Sequence, residues 1–151
     1  MVIGDLPAQA ARRYPAQTAT IFRGQRQTFR QFEQRVNRLS GALASLGLIP
    51  GDHVAVLTRN CPQILELMFA IARAGMVFVP VNFRLAPPEL KFVLDDAEVK
   101  ALFVGDDFLP AVREIKDEIA CRELVTLSDG YEPLVQAGDP ETPPAPVAPG
   151  D

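Results

Sequence analysis

The sequence predicts an α/β protein, a layered domain in which helices flank a mainly parallel sheet, with a β-hairpin near the amino terminus. Short apolar runs without polar alternation recur along the chain, which is typical of strands buried on both faces. The predicted strands begin roughly 20–24 residues apart with one helical pattern between them, as right-handed parallel crossovers require. With 151 residues, of which 48% are hydrophobic and 23% charged, the chain has the size and composition of one globular domain.

The first elements are a short helix and a hairpin. A helix is predicted over about Leu6–Arg13, with Pro7 tolerated in its first turn. Thr18–Phe22 is rich in β-forming residues, and the turn at residues 23–25 leads into a second short strand at residues 27–28.

A long amphipathic helix follows the hairpin. Thr28 is its predicted cap, and Gln31 stands three residues later, as in a capping box. Gly47 ends the helix as a left-handed cap. Apolar residues at steps of three and four place one stripe against a core: Phe29, Phe32, Val36, Leu39, Leu43 and Leu46.

Strands and helices then alternate. The predicted elements are a strand at Val54–Leu57, a helix capped by Asn60 from Pro62 to about Ala74, a strand at Met76–Val81, a helix from Pro87 to Leu94, a strand at Ala101–Val104, a helix at about Phe108–Ile119 and a strand at Leu124–Leu127. We therefore assign residues 1–137 to one α/β subdomain. Residues 138–151 hold five prolines in fourteen residues and are predicted to form a linker or tail.

Composition excludes several classes of function. The net charge is −4 and the arginines are scattered, so neither a nucleic-acid partner nor an anionic membrane surface is expected. The longest mainly apolar stretch, residues 64–81, is interrupted by Glu66, Arg73 and Pro80, and is predicted not to span a membrane. No signal sequence is visible, and Cys61 and Cys121 fit reduced thiols, so a cytoplasmic location is expected.

No nucleotide-binding or metal-binding motif is present. No two of the ten glycines lie closer than four residues, so there is no loop of adjacent amides for a polyphosphate. His53 has two interpretations, a general base or a surface turn residue, and the second is favoured. Asp95 and Asp96 could act in acid–base or metal chemistry but fit a solvated helix end better. Cys61, near a predicted helix start, is a reactive thiol or, more simply, a small buried hydrophobe.

Asn82, Phe83 and Arg84 form the most informative local feature. They follow a predicted parallel strand, and open α/β sheets bind ligands at this end of their strands. An arginine there can hold a phosphate or carboxylate with two parallel hydrogen bonds. Its position alone leaves a structural salt bridge as the alternative.

Several phrases in order resemble the amino-terminal region of the adenylate-forming superfamily, which includes acyl-CoA synthetases. The phrases include Thr28-Phe29-Arg30-Gln31-Phe32, Leu46-Gly47-Leu48-Ile49-Pro50-Gly51-Asp52-His53-Val54-Ala55, Asn60-Cys61-Pro62, Val79-Pro80-Val81-Asn82-Phe83-Arg84-Leu85 and Leu94-Asp95-Asp96-Ala97. The similarity covers most of residues 6–105 and keeps the family's spacing. The sequence after Pro80 resembles that of the acyl-CoA ligase branch of the family rather than that of peptide-synthetase adenylation domains.

The resemblance implies a reaction in two halves. ATP, with Mg²⁺, would convert a carboxylic acid to an acyl-adenylate, and coenzyme A would then displace AMP to give a thioester. The family's ATP-binding and catalytic motifs lie beyond residue 151, so no catalytic residue is assigned and the chain alone is expected to bind none of these cofactors and to be inactive. The resemblance does place Arg84 where some ligases contact the phosphates of coenzyme A.

Three interpretations stay open at this stage. In the first, the chain is the amino-terminal part of an ATP-dependent acyl-CoA synthetase, for instance of fatty acids, and its partner is the remainder of the ligase. In the second, it is a truncated domain that acts as an interaction module and forms a homodimer. The third, an unrelated nucleotide-binding protein, is disfavoured by the spacing of the glycines. The identity of the carboxylic acid is not readable from these residues.

Overall fold

The computed structural model describes residues 3–140 and confirms the predicted fold class. Four parallel strands form one sheet in the order β4-β3-β5-β6, and two antiparallel strands form a separate hairpin. The strands are β1 (Thr18–Phe22), β2 (Gln25–Thr28), β3 (His53–Leu57), β4 (Val77–Pro80), β5 (Val99–Val104) and β6 (Glu123–Thr126). The helices are α1 (Leu6–Arg13), α2 (Phe29–Leu43), α3 (Pro62–Arg73), α4 (Pro87–Asp96), α5 (Leu109–Ile115) and α6 (Tyr131–Ala137).

The hairpin and α2 form as the sequence predicts. Arg23 and Gly24, between β1 and β2, both have positive φ, 48° and 81°, which is the geometry of a tight hairpin turn. Thr28 and Gln31 exchange side-chain and backbone hydrogen bonds in a capping box that begins α2. Gly47, at φ 77°, ends the 3₁₀ turn that continues this helix.

Three details differ from the sequence-based expectation. Cys61, not Asn60, occupies the N-cap position of α3, and its side chain makes no capping hydrogen bond there. The helix predicted over residues 108–119 is shorter, because a 3₁₀ turn at Asp106–Phe108 precedes α5, which ends at Ile115. No helix was predicted after β6, where α6 lies, since its seven residues are too few for a helical period to stand out.

The sheet is buried on both faces, which explains the apolar runs without alternation. Val54, Val56 and Phe103 contribute to a core beneath α2, α3 and α6, whereas Ala55 and Leu102 contribute to a second core beneath α4 and α5. Loops at the two ends of the strands are therefore held by rigid layers. In the part of the chain that the structure describes, no helix combines the length and apolar character needed to cross a membrane.

The chain leaves α6 across the surface of α2. An Asn37 amide donates to the Pro140 carbonyl at 3.2 Å, and the Arg38 guanidinium donates to the Gly138 carbonyl at 3.1 Å. A Cβ atom on Gly138 would lie 1.9 Å from the Arg38 carbonyl oxygen, so only glycine fits this crossing without a shift. Most of the predicted linker, residues 141–151, lies outside the described residues, and the boundary at residue 137 stays a prediction.

Candidate functional site at the carboxyl edge of the sheet

The topology of the sheet places a crevice beside β3. The chain passes from β3 to β4 on one side and then crosses to β5 on the other, so the loops that follow β3 and β5 diverge. A cavity of about 350 Å³ lies there. It is lined by residues of both loops, by two residues after β6 and by the hairpin tip: Thr58, Arg59, Asn60, Cys61, Gln63, Gly105, Asp106, Asp107, Phe108, Leu127, Ser128, Phe22 and Arg23.

The two loops touch closely at the base of this crevice. The Gly105 amide donates to the Leu57 carbonyl at 2.9 Å. A Cβ atom on Gly105 would lie 2.7 Å from Thr58 Oγ1, so a side chain at this position would push the loops apart. Cys61 is half-buried at the cavity wall, with its sulfur 3.9 Å from Thr58 Oγ1.

Two aromatic rings form a shelf at the same edge. Phe83, after β4, and Phe108, after β5, have ring centroids 5.7 Å apart and planes inclined by 37°. Both rings pack against the core beneath α4 and α5, which fixes their positions. The shelf therefore bridges the loops that follow two different strands.

Two arginines lie over this shelf. The guanidinium carbon of Arg59 is 5.3 Å from the centroid of Phe83 and 5.7 Å from that of Phe108. The guanidinium carbon of Arg84 is 5.8 Å from the centroid of Phe83. Cations over aromatic faces are attracted by the ring quadrupole, so both side chains are partly ordered while their hydrogen-bond donors stay accessible.

The two arginines differ in their hydrogen bonds. Arg59 Nε donates to Asp107 Oδ2 at 3.2 Å, and both side chains are about two-thirds exposed, at 66% and 69%. The backbone amide of Arg84 donates to Asn82 Oδ1 at 3.0 Å, which fixes the loop. Within residues 3–140 no acceptor is bonded to the Arg84 guanidinium. The structural salt bridge that the sequence left open for Arg84 is thus not formed in this part of the chain.

His53 and Asp95, which were also singled out from the sequence, lie away from the crevice. His53 begins β3, where its Nδ1 lies 2.5 Å from the Ala97 carbonyl oxygen. Asp95 accepts hydrogen bonds from Lys91 and from the Ala120 amide, which hold the pKa of its carboxyl below the ordinary value. Among the residues described, no cluster of three His, Cys, Asp or Glu side chains could hold a metal ion.

Sequence reasoning missed Arg59, Asp107 and Phe108 as members of the site. The rule that selected Arg84 applies equally to them, because Arg59 follows β3, and Asp107 and Phe108 follow β5. Their loops could have been assigned to the same site once the strand order was known. A single sequence does not give that order.

A second polar cluster lies on the opposite side of the sheet from α4 and α5. Glu66 of α3 is only 2% exposed, yet it accepts four hydrogen bonds. Two come from Arg35, at 2.7 and 3.1 Å, one from the Tyr131 hydroxyl at 2.6 Å and one from Gln27 at 3.0 Å. Arg35 also pairs with Glu132. The Glu66 cluster therefore joins the hairpin, α2, α3 and α6.

Burial and charge shift the titration of this cluster. Burial of the Tyr131 hydroxyl, followed by the negative charge of Glu66, raises its pKa well above the ordinary value. Burial lowers the pKa of Arg35, but the hydrogen bonds and charges of Glu132 and Glu66 outweigh this effect and raise it. The hydrogen bond from Arg35 lowers the pKa of Glu132. These partners satisfy one another, which is the pattern of a structural network.

The fold and the crevice define the class of protein: an open α/β domain that presents cationic side chains at the carboxyl edge of its sheet. A family model described as AMP-binding enzyme matches residues 7–151, and the chain belongs to this family.

Several relatives of the chain are named as ligases or synthases that act on carboxylic acids. A feruloyl-CoA synthase from an Amycolatopsis species is 37% identical over 145 residues, covering 96% of this chain and 28% of that protein. The fatty acid–[acyl-carrier-protein] ligase ScoC of Streptomyces coeruleorubidus is 37% identical over 105 residues, covering 70% of this chain and 20% of that protein. A fatty acyl CoA synthetase of Mycobacterium tuberculosis has a similar structure, with a TM-score of 0.92 at 28% identity, covering 99% of this chain and 31% of that chain.

The resemblance to the amino-terminal region of the acyl-CoA ligase branch is thus confirmed. The chain spans only 20% of the length of the ScoC ligase and 28% of the length of the feruloyl-CoA synthase. It corresponds to the first part of their common fold.

Proposed function

We propose that this chain is the amino-terminal portion of an ATP-dependent acid–thiol ligase that makes acyl-CoA through an acyl-adenylate. In that enzyme Arg84 binds a phosphate of coenzyme A. The observation that carries this proposal is the exposed Arg84 guanidinium over Phe83, at the edge where open α/β sheets bind ligands. Relatives named as CoA synthases and CoA ligases support the choice of thiol.

Coenzyme A fits the residues at this edge. When bound, it supplies the thiol that becomes the thioester. Its phosphates are anionic and bear oxygens that accept paired hydrogen bonds from a guanidinium group. Arg84 can orient a phosphate because the Asn82 turn and the Phe83 ring fix both ends of its side chain. Arg84 is a binding residue in this proposal and takes no part in bond formation.

ATP and Mg²⁺ do not fit these residues in the same way. No two glycines of the sequence lie within three residues of each other, so no loop supplies adjacent amides to a triphosphate. No acidic cluster in residues 3–140 suits a divalent cation. We therefore assign adenylation to residues outside this chain and propose that the chain alone does not activate acids.

This assignment is tested by isotope exchange between pyrophosphate and ATP. The exchange is measured for the isolated chain in the presence of ferulate, a fatty acid or benzoate. We expect no exchange above that of a protein-free control, because the donors for the triphosphate are missing. Acid-dependent exchange would contradict the assignment of adenylation to other residues.

Arg84 is tested in the complete ligase. Arg84→Ala should raise the KM for coenzyme A about tenfold and leave acid-dependent ATP–pyrophosphate exchange unchanged, because one charge-assisted contact is removed from the second half-reaction alone. Arg113→Ala, at an exposed position of α5, is the matched control. Equal losses in both half-reactions would rule out the proposed role.

The dimerisation alternative and the cytoplasmic location stay predictions. Light scattering on the purified chain distinguishes a monomer of 16.5 kDa from a dimer. A dimer would favour the interaction-module alternative.

A further inference from the structure

We infer that Arg59 is a second phosphate-binding residue beside Arg84, and that Asp107 holds Arg59 on the aromatic shelf until a phosphate replaces it. This inference rests on the proposed function, since it names a further contact for the same ligand. Arg59 does not belong to the segment after β4 that suggested a phosphate site. It comes from a different loop, which follows β3.

The shelf places both guanidinium groups in reach of one ligand. Their carbons lie 5.3 and 5.8 Å from the centroid of the same Phe83 ring, so they are at most about 11 Å apart. Coenzyme A carries a diphosphate and a separate phosphomonoester on its ribose. One cation for each group is therefore geometrically available at this edge of the sheet.

Arg59 keeps most of its donors while it is paired. Only its Nε donates to Asp107, at 3.2 Å, which leaves both terminal nitrogens for a paired contact with phosphate. Both partners are exposed to solvent, so water and salt weaken their attraction and an incoming phosphate can replace the carboxylate. The aromatic rings meanwhile restrict the side chain, which reduces the entropy that binding must remove.

Asp107 also has an electrostatic effect on this surface. Asp106 and Asp107 line the same cavity as Arg23 and Arg59, and Arg84 lies beside it over Phe83. The two aspartates therefore offset most of the positive charge of the three arginines when no ligand is bound. The carboxylate of Asp107 repels a phosphate bound to Arg59. Removal of this carboxylate should therefore strengthen phosphate binding.

The base of the loops makes the arrangement rigid. Gly105 and Thr58 pack at a distance that leaves no room for a Cβ atom, and the Gly105 amide is bonded to Leu57. Phe108 follows this contact by three residues and packs in the core beneath α4 and α5. Arg59 and its shelf therefore belong to one fixed unit rather than to two independent loops.

The test measures the dissociation constants of coenzyme A and of pantetheine, which lacks phosphate, by isothermal titration calorimetry on the complete ligase. We expect the two arginine substitutions to weaken the binding of coenzyme A only. Arg59→Ala and Arg84→Ala should each weaken coenzyme A binding about five- to tenfold, as expected for the loss of a charge-assisted contact. Asp107→Asn should tighten it about two- to threefold, because a competing carboxylate is neutralised.

Matched controls are Arg113→Ala on α5 and Asp117→Asn beyond it, which change the same charges at exposed positions that do not line the cavity. Thermal unfolding followed by circular dichroism should give the same midpoint for all variants. Neither control should change the dissociation constant.

The outcomes separate this inference from the proposed function. If Arg84→Ala weakens binding and Arg59→Ala does not, the inference on Arg59 is wrong and the role of Arg84 stands. An unchanged affinity in Asp107→Asn, beside a loss in Arg59→Ala, overturns the role of Asp107. If coenzyme A binds equally to both arginine variants and to the unsubstituted ligase, the phosphate role of Arg84 also fails.

Discussion

Arginine serves two different purposes on the two regions of this domain. On the side of α2 and α3, two arginines are bonded to acceptors from other elements. Arg35 donates to Glu66, and Arg73 pairs with Glu33 and donates to the Gly4 carbonyl. Arg59 and Arg84, at the carboxyl edge of the sheet, lie over rings in solvent and keep most of their donors available. Their surroundings, rather than residue type, distinguish structural arginines from ligand-binding ones.

The difference has a physical cause. A buried guanidinium group loses its hydration and must be matched by acceptors, so its partners are complete in the folded state. An exposed group over an aromatic ring keeps its hydration and exchanges it for a ligand at low cost. Substitutions in the first region should therefore reduce stability, and substitutions in the second should reduce binding alone.

The largest effect is expected at Glu66. Glu66→Gln removes the charge that Arg35 and the Tyr131 hydroxyl share, and should lower the free energy of unfolding by about 2–3 kcal/mol. Urea unfolding of the chain measures the loss. Arg84→Ala is the contrasting variant from the other region and should change stability by less than about 0.5 kcal/mol. Similar losses in the two variants would remove the distinction between the regions.

Tyr131→Phe tests one hydrogen bond of the same cluster. It should cost about 1.5–2 kcal/mol at neutral pH, because the bond from the hydroxyl to Glu66 is charge-assisted and buried. Urea unfolding midpoints measure the cost. Tyr14→Phe, at a half-exposed position, is the control and should be neutral.

The pH dependence of stability should also show the effect of the raised pKa of Tyr131. Its pKa is raised in the folded state, so the folded chain retains a proton that the unfolded chain loses above about pH 10. Stability is thus fully present below that pH and falls as pH rises further. Tyr131→Phe should reduce this fall. Burial also raises the pKa of Cys121, to about 11, and Cys121→Ala in both backgrounds separates that contribution.

Gly105→Ala tests whether the loops of the site form one unit. The added Cβ would lie 2.7 Å from Thr58 Oγ1, which should cost about 1 kcal/mol after the entropic benefit of replacing glycine at an ordinary negative φ. Thr58→Ala removes that oxygen but keeps the Cβ of residue 58 at 3.3 Å, so in this background the cost of Gly105→Ala should fall below about 0.5 kcal/mol. Thermal unfolding of the four chains measures the coupling. Additive effects would show that the two loops move independently.

The elements that could be predicted from the sequence are those whose signals are local. The capping box at Thr28 and the turn at Gly24 depend on neighbouring residues, and both were predicted correctly. The cap at Asn60 was wrong because Pro62 fixes the start of α3 and places Cys61 at its N-cap. Local preference for asparagine could not outweigh the proline.

The candidate site could be predicted only in part, because it depends on which strands are neighbours. Arg84 was found from its place after a strand, whereas the link from Arg59 to Phe83 requires β3 to lie beside β4. Glu66 shows the same limit. It interrupts an apolar stretch in the sequence, and its partners Gln27 and Tyr131 are 39 and 65 residues away. No local pattern indicates such partners.

The smallest expected effect concerns a buried polar group that lacks the partners of Glu66. Ser40 in α2 is 2% exposed, and its hydroxyl has no hydrogen-bond partner among the described residues. Ser40→Ala should raise the free energy of unfolding by about 0.5–1 kcal/mol, because alanine favours the helix and leaves no unsatisfied hydroxyl. Ser45, whose hydroxyl donates to the Ala42 carbonyl at 2.6 Å, is the matched control, and Ser45→Ala should give no gain. Urea unfolding of both variants measures the contrast. A loss of stability in Ser40→Ala would show that the hydroxyl has a hydrogen-bond partner. The contrast between Ser40 and the fully bonded Glu66 would then be wrong.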